Sequence, residues 1–175
     1  QGFVGLIRDW MDADDEPGFP AGAEDTDYLI LSPVPYRAAN QPMVAASELL
    51  AIQGVDPKLY AALKPYVTAL PVTTPINVNT APEVVLRSLS ETPDEAKLAA
   101  FIKSRAETPA DDVQKLVNDA TLGADLDPSL VSVSTRYFSL QAQVFIGSSR
   151  VSLYSLIFRP EQGAPVVLSH ATEEL

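Results

Sequence analysis

The sequence predicts an α+β protein in which a helical module is inserted between an N-terminal helix and a C-terminal antiparallel sheet. Three patterns lead to this prediction: apolar residues at helical spacing near the start, a small repeat of paired short helices over about 45–131, and alternating apolar residues after residue 134. We therefore divide the 175 residues into segments 1–44, 45–133 and 134–175.

The first helix is predicted over residues 2–11, where apolar side chains lie three or four positions apart. Those side chains are Phe3, Leu6, Ile7 and Trp10. We expect Trp10, the only tryptophan of the chain, to pack in the core rather than to contact a partner.

The helical module opens with a short helix, a tight turn and a second short helix. Ser47 or a neighbouring residue is expected to cap the first helix, and Gly54 is expected to end it. Asp56 and Pro57 are typical of the cap and first position of the next helix.

Two further copies of this unit follow. In the second copy Thr80 and Glu83 have the spacing of a capping box, and Thr92 with Pro93 is expected to start another helix. A weaker third copy covers 108–131. The repeat therefore predicts a bundle of short helices.

Residues 134–160 contain no acidic residue and predict an antiparallel hairpin. Five apolar residues alternate with mostly polar ones, which predicts a strand with one buried face: Phe138, Leu140, Ala142, Val144 and Ile146. The second strand is apolar on both faces and is expected to be central, and 164–169 could add a third. The final residues, 172–175, are expected to fray.

Composition excludes several functions. The formal net charge is −11 with only 12 basic residues, which argues against unaided binding to nucleic acid or to an anionic membrane surface. The absence of cysteine excludes disulfides, thiolate zinc sites and a cysteine nucleophile. No apolar run approaches the roughly 18 residues of a membrane span.

Enzymatic motifs are also missing. His170 is the only histidine, and no G-x-S-x-G, P-loop or G-x-G-x-x-G sequence occurs, so we expect no enzyme and no catalytic residue, a calcium-dependent hydrolase included. The alternative function is a helix-hairpin-helix module of a DNA-uptake or repair protein, suggested by "PINVNTAPEVVLRSL". Its corresponding turn, "SETPDE", has three acidic residues and no glycine, which counts against it.

The most unusual segment is 9–28, which holds eight carboxylates and no lysine or arginine. From the residues alone, a solvated loop, a calcium site and a docking surface for a basic partner all remain open. Asp12, Asp14 and Glu16 alternate like the first ligands of a calcium loop, and Glu24 with Asp25 begins a second group. The spacing does not match an EF-hand.

Several blocks, taken together and in this order, resemble the K-type minor pseudopilins of the bacterial type II secretion system. The similarity runs from about Leu6 to Arg159 in "DWMDADDEP", "GAEDTDY", "YRAANQP", "SELLAIQGV", "PYVTALP" and "TPINVNTAPEVVL". The resemblance implies a pilin-like antiparallel sheet and helix, with a large inserted helical domain of helix-hairpin-helix or sterile-alpha-motif-like (SAM-like) units.

The same resemblance implies a function. Such proteins cap a periplasmic pseudopilus in Gram-negative bacteria, with minor pseudopilins of the I and J types and beside the H type or the major pseudopilin, and support export of folded exoproteins. They are anchored in the inner membrane by an N-terminal helix, which we expect to be absent from this chain because it begins without methionine and in a helical pattern.

The resemblance also implies calcium, Ca²⁺, as a bound ion and favours a metal site over a solvated loop. The ligand set it suggests comprises the alternating acids of the first group, the start of the second and one amide: Asp12, Asp14, Glu16, Glu24, Asp25 and Asn40.

Overall fold

The computed structural model describes residues 2–31 and 33–172 and has a mixed α+β architecture. The chain divides into two compact units, of which the first ends at Val72 and the second begins at Thr73. The predicted segment boundaries at 44/45 and 133/134 stay predictions. The prediction that 172–175 fray concerns mostly 173–175, and these residues lie outside the described part of the chain.

The first unit is helical. Helix α1 spans Gly2–Met11, as predicted, and α2 spans Asp25–Tyr28. A 3₁₀ helix follows at Ala46–Ala51, and α3 spans Pro57–Leu63 and continues into a 3₁₀ turn at Lys64–Tyr66.

The helix caps of this unit were predicted in part. Asp56 caps α3 as expected, because its carboxylate accepts the Leu59 N–H at 2.7 Å. Ser47 itself is not the cap, because it lies inside the 3₁₀ helix. Its neighbour Glu48 instead reaches back and accepts the N–H groups of two preceding residues, at 2.7 and 3.0 Å, so the prediction of a neighbouring residue is the part that holds.

Aromatic residues form the core of the first unit. Trp10 is buried, as predicted, with its ring 5.3 Å from that of Tyr28 in an edge-on arrangement. Tyr36 lies against both rings. Leu49 in the 3₁₀ helix and Ile52 just after it complete this core. The end of α1 is therefore fixed against the residues that follow the acidic segment.

The second unit begins with a helical part built on a short parallel pair, β1 at Ile76–Asn77 and β2 at Val131–Ser132. Its α-helices are α4 at Glu83–Arg87, α5 at Glu95–Ser104 and α6 at Val113–Asn118, and a 3₁₀ helix follows at Pro128–Leu130. Leucines from each α-helix meet in one buried cluster with residues of both strands and the connecting loops.

The predicted capping box before α4 is wrong. Pro82 occupies the cap position in an extended conformation, and no side chain caps the helix. Glu83 instead pairs with Arg87 one turn further on, at 3.0 Å, so it is not available to Thr80.

Helix α5 also starts later than predicted. Asp94, not Thr92, is its cap and accepts the Lys97 N–H at 3.0 Å and a second amide at 3.1 Å. The Thr92 hydroxyl is occupied elsewhere, because it donates to Asp125 at 3.0 Å. An aspartate two residues after a threonine is the stronger cap here.

The rest of the second unit is an antiparallel sheet of three strands in the order β3-β4-β5. The strands span Tyr137–Ile146, Ser149–Phe158 and Val166–Ala171. The predicted hairpin, the central position of its second strand and the third strand are confirmed. No helix among the described residues is long and apolar enough to cross a membrane.

One face of this sheet, which we call the exposed sheet face, is mostly apolar and largely open to solvent, although Ser155 on the same face is buried with its Oγ 2.8 Å from His170 Nδ1. Cross-strand pairing places on it Phe138, Leu140, Val144 and Ile146 of β3, Val151 and Leu153 of β4, and Val167 of β5. Their exposure runs from 40% to 69%. The predicted burial of the alternating β3 residues is therefore wrong for this chain, because the described residues leave that face uncovered.

Candidate metal centre

Three carboxylates meet at the end of α1. Asp9, Asp12 and Glu24 each offer one oxygen, and these oxygens all lie within 4.8 Å of one another. Asp9 and Asp12 are three residues apart, so they lie on the same side of the helix and its last turn. Glu24 comes from the residue just before α2. We call these three residues the acidic cluster.

Two members of the acidic cluster are withdrawn from solvent, whereas the third, Asp12, has a side chain that is 29% exposed and forms an ion pair with Arg8 at 3.7 Å. Asp9 and Glu24 are each 1% exposed. Both carboxylate oxygens of Glu24 and the Oδ1 of Asp12 are buried and have no hydrogen-bond partner among the described residues. A buried unpaired carboxylate is strongly unfavourable, and a bound divalent cation would remove both the desolvation cost and the mutual repulsion.

Burial, and to a smaller extent the nearby charges of Asp9 and Asp12, together raise the pKa of Glu24 to about 7. Near neutral pH the cluster therefore favours either a proton or a cation on this side chain. A proton neutralises one carboxylate, whereas a divalent cation offsets two of the three negative charges of the cluster.

A glycine-bracketed turn closes over Asp9. The Gly18 N–H donates to Asp9 Oδ2 at 2.8 Å, and the Gly22 N–H donates to the Gly18 carbonyl at 2.7 Å. A Cβ on Gly22 would lie 1.9 Å from the Asp9 carboxylate and 2.3 Å from the Gly18 nitrogen. Only glycine fits this position, because any side chain would collide with both groups.

The structure brings two of the predicted ligands together, Asp12 and Glu24. Asp14 and Glu16 are exposed and lie outside the acidic cluster. Asp14 Oδ1 accepts the Glu16 N–H at 3.0 Å, which closes a local turn. A ligand role for these two residues stays a prediction.

Asp25 is engaged with the segment that follows α2. It forms an ion pair with Arg37 and accepts the Ala38 N–H at 3.0 Å. Both of its oxygens therefore have partners within the chain. Its role as a metal ligand also stays a prediction, and the structure gives the side chain a separate task in holding 36–40 against α2.

Asn40 lies next to the end of α1, since its N–H donates to the Trp10 carbonyl at 3.1 Å. Its φ of 47° is in the left-handed region that asparagine tolerates. The side-chain Oδ1 is buried and has no partner among the described residues. This orphaned oxygen is of the type that Ca²⁺ accepts, so the predicted role of Asn40 keeps its support.

Sequence reasoning missed Asp9. It falls inside the amphipathic pattern of α1, where a polar residue is usually taken as solvent-facing. The available signal was its spacing of three from Asp12, which puts both carboxylates on one side of a helix.

The set of donors indicates the kind of ion. Carboxylate and amide oxygens suit the hard cations Ca²⁺ and Mg²⁺, and the absence of histidine and cysteine from the cluster does not suit zinc. The residues present therefore fit a hard divalent cation, and the acidic cluster comprises the side chains that would hold it, while a ligand role for Asn40 stays a prediction.

The helical part of the second unit is the other candidate site, because it contains the segment that suggested the DNA-binding alternative. Most of its basic side chains are engaged within the chain: Arg87 pairs with Glu95 at 2.7 Å, and Lys115 pairs with Asp111 at 2.8 Å. Arg105 donates to two backbone carbonyls, at 2.7 and 2.8 Å. These contacts stabilise the helices and do not present a basic surface.

Comparison with known proteins identifies the family of the chain. Two family models, both described as type II secretion system (T2SS) protein K, match residues 2–72 and 76–134. The chain belongs to the protein K family. This membership confirms the resemblance seen in the sequence and leaves the DNA-binding alternative without support.

Individual relatives agree with the family models. Protein K of Pseudomonas aeruginosa is 36% identical over 167 residues, which cover 93% of this chain and 48% of the relative. Protein K of Pectobacterium carotovorum subsp. carotovorum is 36% identical, with 92% of this chain and 51% of the relative covered. The chain thus spans about half the length of the relatives it matches.

A solved structure supports the fold. The chain matches the crystal structure of the GspK-GspI-GspJ complex from enterotoxigenic Escherichia coli with a TM-score of 0.76 and 32% identity. The match covers 99% of this chain and 63% of the solved one. Protein K is a structural pseudopilin and not an enzyme, which confirms the non-enzymatic prediction.

Proposed function

We propose that this chain is the periplasmic part of a minor pseudopilin at the tip of the type II secretion pseudopilus. It binds the I- and J-type minor pseudopilins, lies next to the H type or the major pseudopilin, and supports pseudopilus assembly and export of folded exoproteins across the outer membrane. The observation that carries this proposal is the match of 99% of the chain to a protein solved as the GspK-GspI-GspJ complex.

We infer further that the sheet is pilin-like and that the helical module is the inserted SAM-like domain. A pilin-like sheet packs against a long helix, and the exposed sheet face offers the apolar surface that such a helix would cover. The chain spans about half of its relatives, which is consistent with an N-terminal helix elsewhere in the protein that anchors it in the inner membrane.

Calcium has a structural role in this proposal. An ion bound by Asp9, Asp12 and Glu24 crosslinks the end of α1 to the residue before α2. Extracellular calcium modules often bind with a Kd near 10⁻⁴–10⁻³ M, and an ion at about ten times Kd adds roughly 1.4 kcal/mol to the free energy of unfolding. The acidic segment then becomes a rigid part of the first unit.

Assembly is tested with the full-length protein. Affinity-tagged protein K, expressed with the I- and J-type pseudopilins of the same bacterium, is expected to copurify with both from detergent extracts. Deletion of its gene is expected to trap exoproteins in the periplasm, and the wild-type gene is expected to restore their release. Failure to copurify, together with normal secretion in the deletion strain, would refute the assignment.

The metal site is tested by thermal unfolding in EDTA, in millimolar calcium and in millimolar magnesium, followed by Trp10 fluorescence. We expect calcium to raise Tm by about 5 °C, and Asp12→Asn to abolish that increase. Asp119→Asn removes the same charge from an exposed residue of the second unit and is expected to keep it. An unchanged Tm in all three solutions contradicts the site.

A further inference from the structure

We propose that Gly18 is a positioning residue for the metal ion, which it influences through the carboxylate of Asp9. The inference rests on the proposed calcium site. It concerns a residue that has no ligand atom of its own in the acidic cluster.

The turn at 18–22 lies directly on α1. A Cβ on Gly5 would be 3.3 Å from the Ala21 carbonyl oxygen, and a Cβ on Gly2 would be 3.2 Å from the Ala21 Cβ. Gly2, Gly5 and Asp9 recur at a spacing that puts them on one side of the helix. The turn therefore packs on the side of α1 that carries Gly2 and Gly5. The next residue on that side is Asp9, a member of the acidic cluster.

Gly18 contacts Asp9 in two ways. Its N–H holds Asp9 Oδ2 at 2.8 Å, which fixes the orientation of the carboxylate. The position that a Cβ would take lies 2.7 Å from Asp9 Oδ1, well inside van der Waals contact. Glycine at this position thus binds the carboxylate and at the same time leaves it room.

The collision at Gly18 is confined to Asp9. The three nearest atoms to the hypothetical Cβ all belong to the Asp9 carboxylate group, and the φ of Gly18 is not in the left-handed region. Alanine can therefore adopt the backbone, and the carboxylate must rotate away to make room. At Gly22, by contrast, a Cβ would also strike the Gly18 backbone, so that substitution disrupts the turn itself.

A rotated Asp9 carboxylate no longer directs its oxygen toward Asp12 and Glu24. Residues that orient a ligand typically change metal affinity by about 10–100-fold when they are replaced. We therefore expect Gly18→Ala to weaken calcium binding by about tenfold or more while the metal-free protein stays folded.

The experiment is a double-mutant cycle by calorimetric calcium titration of the wild type, Gly18→Ala, Asp9→Ser and the double variant. The Asp9→Ser proteins keep Asp12 and Glu24 and are expected to bind calcium weakly, so their titrations extend to higher calcium concentrations until a Kd is obtained. Serine is shorter than aspartate and leaves room for the alanine methyl group. If Gly18 acts through Asp9, its substitution changes the calcium Kd by less than about twofold in the Asp9→Ser background, because coupled residues are not additive. The Tm in EDTA is recorded for each variant.

Two matched glycine substitutions serve as controls. Gly5→Ala presses on the same turn through Ala21 and not through Asp9. Gly54→Ala strains a residue with a φ of 84° that has open space around it, so it lowers Tm away from the turn. Both variants are expected to bind calcium within about threefold of wild type, which separates a stability effect from a positioning effect.

The outcomes are distinguishable. Gly18→Ala with wild-type affinity, or with an equal loss in both Asp9 backgrounds, overturns the positioning role and leaves the calcium site intact. A wild-type protein that takes up no calcium overturns the proposed site, and this inference with it.

Discussion

Two loops of this protein concentrate carboxylates, and they treat them in opposite ways. Asp125, in the second unit, is exposed and accepts hydrogen bonds from Ser90 Oγ, from the Glu91 N–H at 2.7 Å and from Thr92 Oγ1 at 3.0 Å. Glu24, in the first unit, is buried, and neither of its oxygens has a hydrogen-bond partner among the described residues.

The pKa values follow the same contrast. Hydrogen bonds from Ser90 and from the Glu91 backbone hold the pKa of Asp125 far below its usual range. Burial raises that of Glu24 to about 7. Acidic composition alone therefore does not identify a metal site. What distinguishes the two loops is whether the chain supplies donors for its own carboxylates.

The largest effect that would sharpen this comparison is expected from Glu24→Gln. Because the folded-state pKa of Glu24 is raised, the metal-free protein loses stability as pH rises between about 4.5 and 7. The neutral glutamine should remove this slope and stabilise the metal-free protein at pH 8 by about 1 kcal/mol or more. The same variant should lose the increase in Tm with calcium.

Urea unfolding in EDTA at pH 5, 6, 7 and 8, with and without a calcium arm, measures both effects. Asp27→Asn is a control from the same segment, since Asp27 accepts the Glu24 N–H at 3.0 Å and lies outside the acidic cluster. A Glu24→Gln protein that is less stable than wild type in EDTA at pH 8 would break the comparison.

A smaller effect is expected from Asp125→Asn. The lowered pKa means that Asp125 contributes stability above the pKa of the unfolded chain, and that this contribution is lost only as pH falls into the acid range. The variant should therefore have a lower Tm at pH 7, by the same amount in EDTA and in calcium. A calcium-dependent difference between variant and wild type, seen in melts followed by circular dichroism, would show that this loop also holds an ion.

The smallest effect is expected from the double variant Asp14→Asn, Glu16→Gln. Both side chains are exposed and lie outside the acidic cluster, so they act on a bound ion only through screened long-range attraction. The calcium Kd should rise by less than about fivefold at 0.15 M salt. A loss of binding as complete as that of Asp12→Asn would instead show that these two residues are ligands, as the sequence predicts.

Local patterns carried most of the fold prediction. The spacing of α1, the Asp56 cap and the alternation in the β3–β4 hairpin depend on neighbouring residues, and the structure confirms each. The capping roles of Thr80 and Thr92 were wrong because other partners compete for the same groups. Pro82 takes the cap position of α4, and Asp94 takes that of α5. The Thr92 hydroxyl donates instead to Asp125, which is more than thirty positions away.

The metal site was also predicted only in part, because local sequence patterns do not show which distant residues the fold brings together. Residue type and spacing identified Asp12 and Glu24, which any account of clustered acids would include. Asp9 depends on the way the turn at 18–22 folds back on α1, and that contact is set by the small size of Gly18 and Gly22. The exposure of the apolar sheet face could not be predicted, because an alternating strand pattern does not show which other part of the protein covers a face.

The absence of basic residues from the acidic segment has a practical consequence. Trypsin cleaves after lysine and arginine, and no such residue lies between Arg8 and Arg37, so a digest releases the acidic segment as the single peptide 9–37. Covalent labelling of carboxylates, followed by digestion and mass spectrometry, would therefore measure the extent of labelling of Asp9, Asp12 and Glu24 on one fragment. The exposed acids of that fragment provide an internal standard for the protected ones.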